Sequence, residues 1–326
     1  MFRILSIDGG GIRGIIPATV LAELEARAAR PVCRLFDLIA GTSTGGILAC
    51  GLVTPGPAGH PRYGAAALVE LYEREGPRIF HQSLARKLAA LGSVLTAKYP
   101  ADNIEPLLRR YFGETRLADV LTDVIIPSYE LEGRIPWFFR SRRARTDATY
   151  NFRLWEVARA TSAAPTYFPP LRLDALGPDP DTARGFYALV DGGVYANNPT
   201  MCAYVEALSA APARGDVIVV SVGTGQSQTP IRYRDAKGWG RFGWAPRILD
   251  VVFDGVSDTI DYQLTQLVRQ SGVTVRHVRL QVPLAPGEDA LDDARPANIA
   301  NLKRMGERII RENETAISAL ARDLVR

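Results

Sequence analysis

The sequence has few cysteines and histidines and no long apolar run. Three of its 326 residues are cysteines and three are histidines. The cysteines, Cys33, Cys50 and Cys202, are odd in number and lack metal-site spacing, so we expect buried, reduced thiols and no bound metal. Because no stretch of about 18 uncharged apolar residues occurs, a membrane-spanning helix is not expected.

The remaining composition is that of a globular protein with a full core. Hydrophobic residues make up 47% of the chain, the net charge is +4 and the pI is about 9.0. This mild basicity permits contact with anionic lipid or with nucleic acid and requires neither, and we expect no nucleic-acid polymer as partner. The first residues reach Asp8 and a glycine cluster too early for a signal peptide. We therefore expect a cytoplasmic protein, with peripheral contact at the inner membrane. The abundance of Ala, Arg, Gly and Pro favours a GC-rich bacterial origin.

The chain begins with alternating strand and helix patterns. A strand ending at Asp8, a helix from Ile16, a strand over 34–41 and a helix over 43–53 follow one another, which indicates a parallel sheet covered by helices. Further along, the patterns predict one long helix over 245–270, interrupted at Gly255, and a single helix over 299–325. Because no linker or repeat stands out, we expect one α/β domain over residues 1–326.

Ser43 lies in the pentapeptide Gly-Thr-Ser-Thr-Gly, between a predicted strand and a predicted helix. This is the nucleophile-elbow arrangement, in which a sharp turn strains the serine backbone and only small neighbours avoid collision. The following helix would add free N–H groups beside the hydroxyl. The alternative is a plain glycine-rich turn with a helix-capping serine.

The stretch Asp-Gly-Gly-Gly-Ile-Arg-Gly, residues 8–14, fits two kinds of site. Its glycines satisfy the dinucleotide fingerprint, but the acidic residue expected at the end of the second strand is missing, since Asp37 lies inside that predicted strand. The other interpretation is an oxyanion hole built from the N–H groups of Gly10 and Gly11. Arg13 would then balance charge or bind a phosphate, or else form a surface salt bridge.

Asp191 ends a predicted strand and precedes two glycines, so it could accept the Ser43 proton or simply form a turn. A Ser-His-Asp triad would need a histidine. His60, His81 and His277 lie in a loop, a helix and a strand, and none adjoins a strand-terminal glycine turn. We therefore favour a Ser–Asp dyad in which the carboxylate itself is the base.

Taken together and in order, DGGGIRG, GTSTGG, ATSAAPTYFPP at 160–170 and DGG followed by NNP resemble the patatin-like phospholipases. The resemblance covers about residues 3–225, with the C-terminal elements over 226–326 expected to pack on that core. It implies the patatin fold, a mostly parallel sheet flanked by helices on both faces. It also implies Ser43 as nucleophile, Asp191 as base and an oxyanion hole from Gly9, Gly10 and Gly11. The supporting motif residues are Asp8, Arg13, Gly14, Gly41, Gly45, Gly192 and Gly193.

The resemblance implies a lipid acyl hydrolase of the phospholipase A type that needs no metal or cofactor and acts on membrane phospholipid. The region from about 230 onward, and the block over 238–264 in it, resembles bacterial patatin-like proteins in particular. Some bacterial members are antiphage effectors switched on by a cyclic nucleotide, and this chain could be one of them. A general esterase or acyltransferase, and a nucleotide-binding module without hydrolytic activity, are the alternatives. Residues 231–247 interleave basic residues with aromatic ones, which suits either a lipid interface or a loop whose aromatics enter the core.

Overall fold

The computed structural model describes residues 1–82, 97–177, 185–210, 216–244, 247–270 and 275–325. Within these ranges the chain forms one large mixed sheet and a two-stranded parallel pair. The strands are β1 (Phe2–Ile7), β2 (Leu38–Gly41), β3 (Asp123–Glu130), β4 (Ile135–Arg140), β5 (Leu171–Asp174), β6 (Phe186–Asp191), β7 (Val217–Val222), β8 (Gln226–Ser227), β9 (Val275–Leu280) and β10 (Pro283–Leu284).

The large sheet has the order β5-β6-β3-β2-β1-β7-β9, with β4 also paired to β3. Strands β3, β2, β1, β7 and β9 are parallel, which confirms the predicted central sheet. Strand β6 runs antiparallel to β3, and β5 and β4 are antiparallel to their neighbours. These reversed strands at one side of the sheet were not predicted, because pattern alone does not give strand direction.

The helices are α1 (Ile15–Ala28), α2 (Thr44–Val53), α3 (Ala65–Ile79), α4 (Glu105–Phe112), α5 (Ser141–Thr146), α6 (Leu154–Thr161), α7 (Gly193–Ala196), α8 (Thr200–Ala210), α9 (Tyr233–Ala236), α10 (Arg241–Trp244), α11 (Ile248–Gln270), α12 (Pro296–Glu312) and α13 (Glu314–Leu324). They cover both faces of the sheet, as the alternation along β1 makes clear. Leu5 and Ile7 belong to the larger core beneath α1 and α2, whereas Ile4 belongs to a second core beneath α8. The molecule is therefore the expected three-layer α/β fold.

The C-terminal hundred residues share this core. Strand β9 pairs with β7 in the same sheet, and α12 and α13 pack on α1. Leu302, Ile309 and Leu320 are completely buried members of the larger core. The C-terminal elements therefore pack on the same core as the N-terminal strands.

Three predicted element boundaries differ from the structure. Helix α11 runs through Gly255 without a break. The C-terminal helix divides at Asn313, whose backbone leaves helical geometry (φ −116°, ψ 25°) and whose side-chain amide donates to the Ile309 carbonyl at 2.9 Å. Strand β2 starts only at Leu38, because residues 32–34 form a 3-10 turn first. The apolar pattern over residues 79–91 also predicts a helix, and that range falls partly outside the described residues.

Among the described residues no helix is both long enough and apolar enough to cross a bilayer.

Candidate active site

Ser43 sits at a sharp turn between β2 and α2. Its backbone has φ 57° and ψ −123°, a left-handed conformation that a side-chain-bearing residue rarely adopts. The two flanking glycines make the turn possible. A Cβ on Gly41 would lie 2.1 Å from the Gly45 carbonyl oxygen, and a Cβ on Gly45 would lie 2.3 Å from that of Ile7. The geometry is that of a nucleophile elbow and differs from an ordinary capping turn, since the Ser43 side chain makes no capping hydrogen bond.

The strained Ser43 backbone is held by Thr161, a residue that sequence reasoning did not single out. The Ser43 N–H donates to Thr161 Oγ1 at 2.9 Å, and that hydroxyl donates to the Pro127 carbonyl at 2.6 Å. Two residues further on, the Ala163 carbonyl accepts the Asp191 N–H at 3.0 Å. The ATSAAP segment thus ties Ser43 and Asp191 to one support. Its only signal in the sequence was its place in the family resemblance.

Sheet register explains why Asp191 comes close to Ser43 although 148 residues separate them. Ala40 of β2 pairs with Ile125 of β3, so β3 extends beyond the point where β2 gives way to the serine turn. Strand β6 returns antiparallel along that extension and places Asp191 opposite Ser128. The side chains of Ser43 and Asp191 therefore both lie at the carboxyl edge of the parallel strands.

The Asp191 carboxyl is completely buried and only partly hydrogen-bonded. Its Oδ1 accepts the Gly193 N–H at 2.7 Å, while Oδ2 has no hydrogen-bond partner among the described residues. Burial raises the pKa of Asp191 to about 7, and the nearby Ser43 hydroxyl and the Gly193 amide limit that rise. The Ser43 hydroxyl is close enough to influence the carboxyl without forming a hydrogen bond of ordinary geometry in the described structure. A carboxylate with a pKa near neutrality is a much better base than an exposed one.

The glycine-rich loop after β1 lies against Ser43. Gly10 and Gly11 line the same cavity as the serine, and their N–H groups donate to no acceptor among the described residues. The Gly9 N–H, by contrast, donates to the Asn197 carbonyl at 3.0 Å. This corrects the predicted hole of Gly9, Gly10 and Gly11: the first of these amides is already used, and Gly9 has a packing role.

That packing role involves Asn197, which sequence reasoning placed only in the NNP motif. A Cβ on Gly9 would lie 2.3 Å from Asn197 Oδ1 and 3.2 Å from Ser43 Cβ. Asn197 Oδ1 is buried without a partner among the described residues, and its amide donates to Ser257 Oγ at 3.2 Å. The amide side chain therefore lies beside the Ser43 turn and fixes how closely the glycine loop approaches it.

The other motif residues have structural positions around this centre. Asp8 forms a buried ion pair with Arg279, with distances of 2.5 Å and 3.0 Å. A Cβ on Gly14 would lie 2.2 Å from Thr44 Oγ1, and one on Gly192 would lie 2.5 Å from the Pro127 carbonyl oxygen.

Arg13 is buried, so the predicted surface salt bridge is wrong. Its Nε donates to the Gly10 carbonyl at 3.3 Å, which braces the loop that carries the free amides. The Arg13 side chain lines a separate cavity together with Asp250, Asp254 and Asp289. Burial lowers its pKa, and those carboxylates oppose the change.

The cavity at Ser43 is strongly apolar. Its apolar lining includes Ile12, Ile47, Ile79, Phe80, Phe168 and Phe253. None of the three histidines is among the residues that line it in the described part of the chain: His60 and His81 are exposed, and His277 lies in β9 with Nδ1 3.9 Å from Asp261 Oδ1. The arrangement suits an acyl chain next to a serine whose neighbouring ionisable group is a carboxylate.

The dinucleotide alternative finds no support in this geometry. Asp37 precedes β2 and is engaged by Arg3, whose guanidinium binds its carboxylate at 2.8 Å and 3.1 Å. The second strand leads directly into the Ser43 turn, where a ribose-binding carboxylate would be needed.

Comparison with known proteins shows which family the chain belongs to. The sequence model of the family described as patatin-like phospholipase matches residues 5–204. The chain belongs to the patatin-like phospholipase family. Patatin-like protein 4 of Arabidopsis thaliana is 33% identical over 96% of this chain and 84% of its own length. Patatin-like protein 2 of Oryza sativa subsp. indica is 34% identical, with 97% and 85% covered. Family membership supports hydrolysis of lipid acyl esters as the activity.

Among solved structures, VipD from Legionella pneumophila is similar at a TM-score of 0.39 and 10% identity, covering 95% of this chain and 67% of that one. ExoU, a type III effector protein, is similar at a TM-score of 0.41 and 10% identity, covering 99% and 53%. Likenesses this distant add nothing to the family assignment. The named sequence relatives are plant proteins, so they do not bear on the bacterial origin that composition suggested.

Proposed function

We propose that this patatin-like protein is a phospholipase of the A type that cleaves fatty-acyl esters of membrane phospholipids through a Ser43–Asp191 dyad. The observation that carries the proposal is the strained Ser43 turn at an apolar cavity, beside a buried carboxyl whose pKa is about 7. An apolar cavity accommodates an acyl chain, and a single neutral-pH base is what serine activation requires.

In the first half-reaction, Ser43 Oγ attacks the ester carbonyl carbon while Asp191 takes the hydroxyl proton. Because Gly193 already occupies Oδ1, Oδ2 is the carboxylate oxygen still free to accept it. The N–H groups of Gly10 and Gly11 stabilise the oxyanion. Loss of one such donor typically costs roughly 2.7–4 kcal/mol of transition-state stabilisation. Collapse of the intermediate breaks the ester C–O bond, and Asp191 returns the proton to the leaving alcohol.

In the second half-reaction, water attacks the Ser43 acyl ester and Asp191 takes a proton from that water. The tetrahedral intermediate then releases the fatty acid, and the proton returns to Ser43 Oγ. Both halves use one base and one oxyanion hole, so a single dyad suffices for the full cycle.

Ser43→Ala and Asp191→Asn test this mechanism. Each should lower fatty-acid release from phosphatidylcholine, and from a soluble short-chain ester, by more than about a thousandfold while leaving the circular dichroism spectrum unchanged. Release of free fatty acid, rather than transfer to an added alcohol, separates hydrolysis from the acyltransferase alternative. Full activity in purified Ser43→Ala protein would contradict the assignment.

Activation by a cyclic nucleotide rests on the sequence resemblance alone. It is tested by adding a panel of cyclic di- and trinucleotides to the purified enzyme and following phospholipid hydrolysis. A saturable rate increase with one of them supports that regulation, and equal rates across the panel contradict it.

A further inference from the structure

The segment over 231–248 and the start of α11 expose apolar side chains that no other part of the described chain covers. Tyr233 is 81% exposed, and Ile231, Ile248, Val251 and Trp244 are each 38–46% exposed. We call these five residues, together with Trp239, Arg232, Arg234, Lys237 and Arg247, the docking face. Isolated exposed apolar residues are common, but a cluster with an aromatic rim is not.

The docking face is continuous. Trp239 and Trp244 pack edge to face with centroids 5.3 Å apart, and the Arg247 guanidinium lies 4.5 Å from the Trp239 ring centroid. Ile231, Arg247 and Val251 line one cavity together, which joins the segment to α11. The two tryptophans belong to neither buried core. The alternative that the segment's aromatics enter the core therefore fails for Tyr233, Trp239 and Trp244; Phe242 and residues 245–246 lie outside the described side chains.

The segment over 231–248 is basic, although carboxylates, including Asp250 on α11, lie beside it. Residues 231–248 contain five basic residues and one acidic residue, a net charge of +4, which equals the net charge of all 326 residues. Arg232, Lys237 and Arg247 are exposed and form no ion pair with the described residues, and Arg234 lies 3.7 Å from Asp235. In the other basic cluster, at 140–145, all four arginines have partners: three pair with Glu206 or Asp123 and Arg143 stacks on Tyr150.

The docking face is also close to the proposed active site along the chain. Helix α11 exposes Ile248 and Val251 and places Phe253 in the wall of the Ser43 cavity. Contact of this face with a bilayer would therefore bring the apolar cavity near the lipid from which an acyl chain must enter.

We propose that the docking face binds the surface of a bilayer containing anionic phospholipid. Trp and Tyr side chains favour the bilayer interface, and each basic residue near an anionic surface adds to binding. The inference extends the proposed phospholipase function, since it names the surface that presents the cavity to its substrate. A second copy of the chain would not be attracted to a face of this charge, because the matching faces repel each other.

The test uses Ser43→Ala protein, which leaves vesicle lipids intact. Co-sedimentation is measured with vesicles of phosphatidylcholine alone and of phosphatidylcholine mixed with phosphatidylglycerol. We expect binding to the mixed vesicles that falls as sodium chloride is raised. On this background, Arg232→Glu/Arg234→Glu and Trp244→Ala/Ile248→Ala should each weaken binding by about tenfold or more.

Two matched controls make the same kinds of substitution outside the docking face. Arg304→Glu/Arg311→Glu alters the net charge equally on α12, and Leu131→Ala/Leu208→Ala removes two exposed apolar side chains. Both controls should keep at least half of the vesicle binding. Equal loss in the controls would overturn the docking face. No vesicle binding, or a dimer that Trp244→Ala dissociates, would overturn it as well.

Hydrolysis of a soluble short-chain ester by the wild-type protein is measured in parallel. Ser43-dependent hydrolysis without vesicle binding would contradict the docking face alone. Vesicle binding without Ser43-dependent hydrolysis would contradict the proposed function alone.

Discussion

At the scale of single residues, the protonation of Asp191 should set the pH dependence of catalysis. Its pKa is about 7, and only the ionised form accepts the Ser43 proton. For a soluble ester, kcat/KM should therefore rise tenfold per pH unit below about 7 and level off above it. At pH 5 the rate should be about one hundredth of the plateau. A profile that is flat between pH 5 and pH 9, with the enzyme folded throughout, would rule out Asp191 as the base.

The same raised pKa makes Asp191 a cost to stability. An ordinary aspartate titrates near 3.8, so between about pH 4 and pH 7 the unfolded chain has lost a proton that the folded protein keeps. The free energy of unfolding contributed by this group therefore falls as pH rises through that window and stays low above it. Asp191→Asn should be more stable than wild type at pH 8, by up to roughly 4 kcal/mol at 1.36 kcal/mol per pKa unit.

Urea denaturation at pH 5 and pH 8 measures this effect. The advantage of Asp191→Asn should shrink at pH 5, where the wild-type carboxyl is protonated. An equal difference at the two pH values would show that the carboxyl charge is not its cause.

The proposed catalytic pair could be picked out from the sequence because each residue lies in a short contiguous motif. Gly41 is required by a contact within the motif itself, the carbonyl oxygen of Gly45, whereas Gly45 is required by the carbonyl oxygen of Ile7 on the neighbouring strand. Thr161 and Asn197 act on Ser43 and Gly9 across more than a hundred residues of chain. No local pattern marks such contacts, and the use of the Gly9 amide by Asn197 could not be predicted for the same reason.

At the scale of elements, the turn between β2 and α2 and the middle of α11 make opposite demands on glycine. A Cβ at Gly45 would meet the Ile7 and Asp8 carbonyl oxygens at 2.3 Å and 2.7 Å, whereas one at Gly255 would meet nothing within 4 Å. Gly45→Ala should therefore lower the free energy of unfolding and abolish the covalent labelling of Ser43 by a fluorophosphonate. Gly255→Ala should raise the free energy of unfolding by about 0.5–1 kcal/mol.

Thermal unfolding of the two variants checks this contrast, since both make the same chemical change within a helix. A tolerated Gly45→Ala, with wild-type activity, would mean that the turn is looser than described. A destabilised Gly255→Ala would mean that α11 is not a continuous helix.

Element types followed from the sequence more readily than their directions and ends. Strand β1 was predicted from its apolar run, which is typical of a strand whose two faces are both buried in a parallel sheet. In the structure, its side chains alternate between the two cores. The reversal of β6 depends on its partner β3, which lies some sixty residues earlier. The break at Asn313 depends on a side-chain hydrogen bond that competes with the helix.

At the scale of the whole molecule, the Asp8–Arg279 ion pair links β1 to β9, two strands that lie far apart in the sequence. Asp8 follows β1 and Arg279 lies in β9, and the arginine also donates to Ser221 Oγ of β7 at 2.7 Å. Asp8 is 2% exposed, so removal of one partner leaves a buried charge. Asp8→Asn and Arg279→Gln should each lower the free energy of unfolding by about 3–5 kcal/mol.

The double variant should cost less than the sum of the two single changes, because it leaves no unpaired charge. Chemical denaturation of the four proteins gives the coupling. Strict additivity would show that the two side chains do not interact in solution.

The central claim is that Asp191 activates Ser43, and the most direct test is the rate at which a fluorophosphonate modifies Ser43, followed by mass spectrometry of the labelled peptide. We predict one adduct, on Ser43, formed with a rate that rises with pH to a plateau above about 7 and is at least about a hundredfold slower in Asp191→Asn. Labelling of another residue, or labelling of Ser43 at the wild-type rate in Asp191→Asn, would contradict the account.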